Sequence, residues 1–383
     1  MKHIRTDLAD FDIRFMAFMK EVRSVEGIIN FTYGEPFQNT PDSIKQAALE
    51  ALNENRTKYP LPLGLPELKQ AILKRYQERY GVSYSEQEIV ITTGASQSLA
   101  DTLLALVEPG DEVIGLEPCF ILYEPMVTIA HGTYVGVDTS KDGFQIVKET
   151  IVASVTSKAK AIILTSPNNP TGISFTAASL QALAEIALEY GIFLICDDIY
   201  DQIVFHPIAS LVEYPEIRDH LIILQSFSKS YSMTGWRLGY AIAPEKVMKA
   251  IGNVQLVMQS GVSTFIQYAG LEALNYDNTS FVDDYRRNAD AIALMLADIG
   301  LPFHKPDGAF YVYPDVSEFG LSSWDFCLRA LHDYKVALIP GSCFSSHNDR
   351  FFRISFVCSP EELKEGMHRL SHFVDDLRKE RSL

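Results

Sequence analysis

Between about residues 43 and 275 the chain alternates helical periodicity with short runs that are β-branched or apolar nearly throughout. A strand with apolar side chains on both faces must be covered on both, the situation of a mainly parallel sheet flanked by helices. The pattern predicts an α/β fold. Seven strands are expected: Ile89 to Thr92, Glu112 to Leu116, Thr133 to Val137, Ala161 to Thr165, Phe193 to Cys196, Leu221 to Gln225 and Gly239 to Ile242. Between them lie helices such as Ser96 to Val107, ended by Pro109-Gly110-Asp111, and about Thr176 to Tyr190. Thr176 is the expected N-cap of the second and Gly191 its left-handed stop.

After an amphipathic helix from about Ser280 to Asp298, aromatic-rich strands appear, Phe310 to Tyr313 and Phe351 to Phe356, each followed by a helix. This reads as a smaller α+β domain. The first forty residues hold one amphipathic helix (Phe11, Phe15, Phe18, Met19, Val22) and an extended piece, Ile28 to Thr32, expected to pack against that smaller domain or a partner chain. The expected division is an N-terminal segment, 1–42, a large domain, 43–279, and a small C-terminal domain, 280–383.

With 47% apolar and 21% charged residues in 383, the chain can bury a large core, and its net charge of −16 repels polyanions. Nucleic acid and anionic membrane surfaces are thereby disfavoured as partners. No apolar run approaches the ~20 residues needed to cross a bilayer. Lys2 and Arg5 resemble the start of a leader, but Asp7 and Asp10 interrupt it, and the expected location is cytoplasmic. Five cysteines without CxxC spacing read as small buried thiols, and no metal is assigned to them or to the nine histidines.

The segment Leu221 to Tyr240, LIILQSFSKSYSMTGWRLGY, carries most of the chemistry. An apolar strand delivers Ser226, Ser228, Lys229 and Ser230 at its carboxyl end, where ligands of open α/β sheets sit. Arg237 follows eight residues after the lysine. Hydroxyls, backbone amides and a guanidinium suit a phosphate dianion. A lysine desolvated beside them has a lowered amine pKa and is competent to form a Schiff base.

SFSKSYSMTGWRLGY is similar to the lysine signature of class I aminotransferases, the aspartate aminotransferase-like enzymes of fold type I that use pyridoxal 5′-phosphate. Six further segments occur in that family's order across nearly the whole chain: YGEP (Tyr33 to Pro36), KYPLPLGLPELK (Lys58 to Lys69), TGASQS (Thr93 to Ser98), PNNPTG (Pro167 to Gly172), DDIY (Asp197 to Tyr200) and FRIS (Phe352 to Ser355). The resemblance implies a large cofactor-binding domain with a seven-stranded sheet. It also implies transfer of an amino group from an L-amino acid to a 2-oxo acid by ping-pong kinetics, with Lys229 as Schiff base and proton shuttle.

The remaining roles follow from the same resemblance. Gly94, Ala95 and Ser96, between a strand and a helix N-terminus, would hold the cofactor phosphate with Ser226, Ser228 and Arg237. Asp197 would keep the pyridine nitrogen protonated, so that the ring withdraws electrons from the reacting carbon. The family often has Glu where Asp198 stands. Tyr200 and Asn169 align with the pair that bonds the cofactor's phenolic oxygen. Phe120 would stack on the ring, while Cys119 departs from the aromatics usual in that loop. Arg353 is either a charge on the solvated face of its strand or a buried anion receptor; the resemblance favours a bidentate receptor for the substrate α-carboxylate, with Asn169 and the backbone of Gly34 nearby. Tyr59 would reach across a homodimer interface to the partner's phosphate. A β-eliminating carbon-sulfur lyase needs the same lysine, aspartate and arginine and stays open as an alternative. A passive cofactor sensor would need an appended DNA-binding segment, for which the acidic chain offers no sign.

Overall fold

Alternate residues of each central strand point to opposite faces, and here both sets are apolar. Ile222 and Leu224 pack with Val90, Leu99, Leu103 and Ile251 on one side, while Leu221 and Ile223 pack with Ile162, Leu180 and Leu183 on the other. Water is excluded from both faces, so the sheet lies between helices. The computed structural model describes residues 13–381.

In chain order the strands are β1 (Ile29–Asn30), β2 (Ile89–Thr92), β3 (Glu112–Glu117), β4 (Thr133–Asp138), β5 (Ala159–Leu164), β6 (Phe193–Asp197), β7 (Leu221–Ser226), β8 (Gly239–Ile242), β9 (Tyr311–Val312), β10 (Val336–Ala337), β11 (Ile339–Pro340) and β12 (Phe352–Ser355). Seven form one sheet in the order β2-β8-β7-β6-β5-β3-β4, and β8 alone runs against its neighbours. That reversal matters for the site. Ser226, at the end of β7, pairs with Gly239, at the start of β8, and Gly239 pairs in turn with Thr92, at the end of β2. The residues just before β8, Arg237 among them, therefore return to the carboxyl ends of β7 and β2.

The close approach depends on glycine. A Cβ on Gly239 would lie 2.5 Å from the Gln225 carbonyl oxygen and 2.8 Å from the Gly94 Cα, and Gly94 itself has φ +87°. Helix Ala177–Tyr190 begins where Thr176 accepts from the Ser179 amide and stops at Gly191, φ 66°. β6 starts two residues later.

The C-terminal region packs β11-β12-β9 as an antiparallel sheet. Its core combines Phe326, Phe352 and Phe373 with Tyr285 and Ile292 of helix Thr279–Ile299. The N-terminal segment joins it: Phe18 and Phe31 enter that core, and β1 pairs in parallel with β10 through Ile29–Val336 and Asn30–Ala337. The helix there is Arg14–Arg23, and Phe11, counted in it from sequence, lies outside the described residues. So do Lys2, Arg5, Asp7 and Asp10.

The aromatic strands are shorter than expected. Phe310 to Tyr313 contracts to β9, because Pro314 follows with no amide to donate, and Phe351 to Phe356 contracts to β12. His368 and His372 stand one helical turn apart with Nε2 atoms 3.2 Å apart. Among the described residues no group of three or more potential metal ligands exists, and no helix is long and apolar enough to cross a membrane.

Candidate active site

A cavity of about 390 Å³ opens at the carboxyl ends of β6 and β7, walled on its far side by the C-terminal region. Ala95, Ser96, Phe120, Asn169, Asp197, Tyr200, Ser226, Ser228, Lys229, Arg237 and Arg353 all line it, as does Gly34. Gly94 sits behind them, and Tyr59 lies outside the cavity, 96% exposed. Residues up to 319 positions apart thus meet in one space.

Lys229 lies in the short turn Phe227–Ser230 after β7, and Ser226 caps that turn by accepting from the Ser228 amide at 3.1 Å. The Lys229 Nζ donates to the Gly34 carbonyl at 2.6 Å. Burial lowers its ammonium to about 8, with Glu35 opposing the shift and the Arg237 and Arg353 charges adding to it.

Ser226 Oγ and Ser228 Oγ are 2.8 Å apart. Facing them, the first bonds of helix Ala95–Leu106 run from the Gln97 and Ser98 amides to the Gly94 carbonyl, so the Ala95 and Ser96 amides precede the helical ladder. Arg237, at φ 56°, donates to the Thr234 carbonyl at 3.0 Å and the Thr93 carbonyl at 3.4 Å. Amides, hydroxyls and a guanidinium around one point suit an oxyanion.

Asp197 ends β6. Its Oδ2 accepts from the Tyr123 hydroxyl at 2.8 Å, while Oδ1 is buried without a hydrogen-bond partner. Burial raises the carboxyl to about 6, against the lowering effect of Tyr123 and of the Lys229 charge. A buried carboxylate oxygen left unpaired is costly, so this one is suited to a donor arriving with a ligand.

Arg353 is 5% exposed, which removes the solvated-face alternative. Its Nη1 donates to Asn169 Oδ1 at 3.0 Å and its Nη2 to the Thr32 carbonyl at 2.7 Å. Its guanidinium carbon lies 4.5 Å from the centre of the Tyr311 ring and 5.0 Å from that of Phe344. The Tyr311 hydroxyl in turn bonds the Tyr200 hydroxyl at 3.0 Å. Phe344 is fixed from across the cavity: its carbonyl accepts from the Cys119 amide at 3.0 Å, and the next two residues donate to the buried Glu117 carboxylate.

Tyr123 and Tyr311 were not singled out from sequence. Tyr123 lies in the same loop segment as Phe120, and Tyr311 in the aromatic strand, but nothing local marks either as a partner of a residue 74 or 111 positions away.

Asp198 belongs to a different face. Its carboxyl is pushed up to about 8 by burial and by the Asp201 and Asp197 carboxylates, against the lowering effect of Arg79, which bonds Asp201. A carboxyl held protonated contributes stability that is complete below its unfolded pKa of about 4 and lost as the pH rises through about 8. Asp198→Asn is therefore expected to match the parent near pH 4.5 and to exceed its stability at pH 9 by on the order of 2 kcal/mol, measured by urea unfolding. An equal difference at both pH values would refute the assignment.

Residues 26–370 match the family described as aminotransferase class I and II. The chain is 36% identical over 362 residues to a probable N-acetyl-LL-diaminopimelate aminotransferase of Bacillus subtilis, covering 93% of this chain and 92% of that protein. It is equally 36% identical, over 356 residues, to an aspartate aminotransferase of Thermotoga maritima, covering 92% and 93%. The crystal structure of an aspartate aminotransferase from Thermotoga maritima superposes with a TM-score of 0.93 at 35% identity over 97% of this chain and 100% of that one. An aromatic aminotransferase from Pyrococcus horikoshii gives 0.89 at 31% identity over 94% and 99%.

Proposed function

The chain belongs to the class I and II aminotransferases, fold type I enzymes that depend on pyridoxal 5′-phosphate, and within that family we propose that it exchanges amino and oxo groups through Lys229 in two successive half-reactions. The residues present fit the cofactor. The unpaired Asp197 Oδ1 matches a protonated ring nitrogen, and the Ala95 and Ser96 amides with Ser226, Ser228 and Arg237 match its phosphate. Tyr200 and Asn169 would flank its phenolic oxygen, Phe120 would lie against its ring, and Lys229 would be its covalent anchor. When bound, the cofactor supplies a conjugated ring that accepts the electron pair left on a substrate carbon.

Arg353 binds the α-carboxylate, its plane held by Asn169 and the Thr32 carbonyl. Lys229 Nζ would remove the proton from the substrate Cα and deliver it to the cofactor's C4′ carbon, two atoms further along. With its ammonium lowered to about 8, a useful fraction is neutral base at working pH. Tyr123 holds Asp197 in place and favours its ionised form, and Asp197 would keep the cofactor's ring nitrogen protonated. Over both half-reactions the donor leaves as its 2-oxo acid and the acceptor oxo acid leaves as its amino acid, with no outside oxidant. The exposed Tyr59 is proposed to complete the phosphate site of a partner subunit in a homodimer.

The convergence of Lys229, the unpaired Asp197 oxygen and Arg353 on one cavity carries this reading. It is tested by adding an amino acid to the holoenzyme without any oxo acid. One equivalent of 2-oxo acid per site and a lasting shift of the visible absorbance, reversed by an added oxo acid, are expected. Continuous pyruvate from cystathionine with no acceptor present would instead establish the lyase.

A further inference from the structure

Resting on the aminotransferase reading above, we infer that the donor this cavity selects is an L-amino acid with an uncharged, apolar side chain, aliphatic or aromatic. Among the described residues the lining holds four charged groups, Asp197, Lys229, Arg237 and Arg353. Each has a task in the half-reaction, and each cation already has backbone or amide partners: Lys229 at Gly34, Arg237 at Thr93 and Thr234, Arg353 at Asn169 and Thr32. None is left over for a second carboxylate.

Away from these groups and the hydroxyls and amide beside them, the walls are mostly hydrocarbon. Ile13, Phe15 and Met16, at the start of helix Arg14–Arg23, form one side; Ile121 and Leu122, in the turn after β3, form another; Phe344 stands beside the carboxylate receptor. The neighbouring Arg14 does not line the cavity, and its guanidinium turns to the Ser342 carbonyl at 3.4 Å. Among the described residues of this chain an anionic side chain would lose water against these walls and gain no counter-charge, whereas a leucine or phenylalanine side chain gains from burial.

The test compares leucine, methionine and phenylalanine with aspartate and glutamate in the single half-reaction of the holoenzyme, followed by absorbance. A kcat/KM advantage of roughly 100-fold or more for the apolar set is expected. Aspartate or glutamate reacting as fast as leucine would overturn the inference. Failure of every amino acid would instead overturn the aminotransferase reading beneath it. A binding measurement separates the two: calorimetric titration of the holoenzyme with 3-phenylpropanoate and with succinate, neither of which can react. Tighter binding of 3-phenylpropanoate supports the apolar pocket, and tighter binding of succinate refutes it.

Discussion

Lys229→Ala is expected to lower the rate constant of both half-reactions by roughly 10⁴-fold or more, because one amine is asked both to anchor the cofactor and to move the Cα proton. The loss belongs to kcat. Arg353, Asn169 and the apolar walls are untouched, so a non-reacting carboxylate such as 3-phenylpropanoate should bind within about tenfold of its affinity for the parent, a difference of about 1.4 kcal/mol. Folding should survive as well, since burial and the Arg237 and Arg353 charges already oppose the ammonium at this position. Stopped-flow absorbance with a rapidly reacting amino acid checks the rate, and calorimetry checks the binding. A variant that retains a tenth of the parental rate would remove Lys229 from the chemistry.

Asp197→Asn keeps the shape of the side chain and deletes its charge. Its carboxylate stands in a buried place, with one oxygen fixed by Tyr123 and the other unpaired. There a charge facing a ligand's ring nitrogen would be screened little by water. The expected loss in kcat is roughly 10²- to 10³-fold, the size of effect seen when one oriented electrostatic contact to a developing charge is removed. Asp197→Glu should recover part of it, because charge is restored while placement is not. If Asp197→Asn and the parent had equal kcat, Asp197 would be a structural residue of the β6 end and no more.

The residues of the site differ in how far the sequence displays them. Ser226, Ser228 and Lys229 fall within four consecutive positions at the end of an apolar strand, so a local turn places them and the sequence displays the whole unit. Strands β2 and β8 match their expected limits to the residue, as they alternate apolar side chains toward two helical layers. Arg353 behaves otherwise. Its strand alternates in a way that permits a solvated face, and what buries it comes from Asn169 and Thr32, 184 and 321 positions away. Tyr123 meets Asp197 across two strands of the sheet, and Tyr311 meets Tyr200 from the other region of the chain. Local pattern encodes elements and motifs, whereas contacts made by chain reversal and packing leave no periodicity to read. The antiparallel β8, which carries Arg237 back to Ser226, is such a reversal.

If Lys229 is the amine that bonds the cofactor, reduction followed by mass mapping of peptides will locate it there. Borohydride treatment of holoenzyme containing one pyridoxal 5′-phosphate per chain should leave the reduced cofactor's added mass on the peptide that carries Lys229. Added mass on a different lysine, or none at all from fully loaded enzyme, would contradict it.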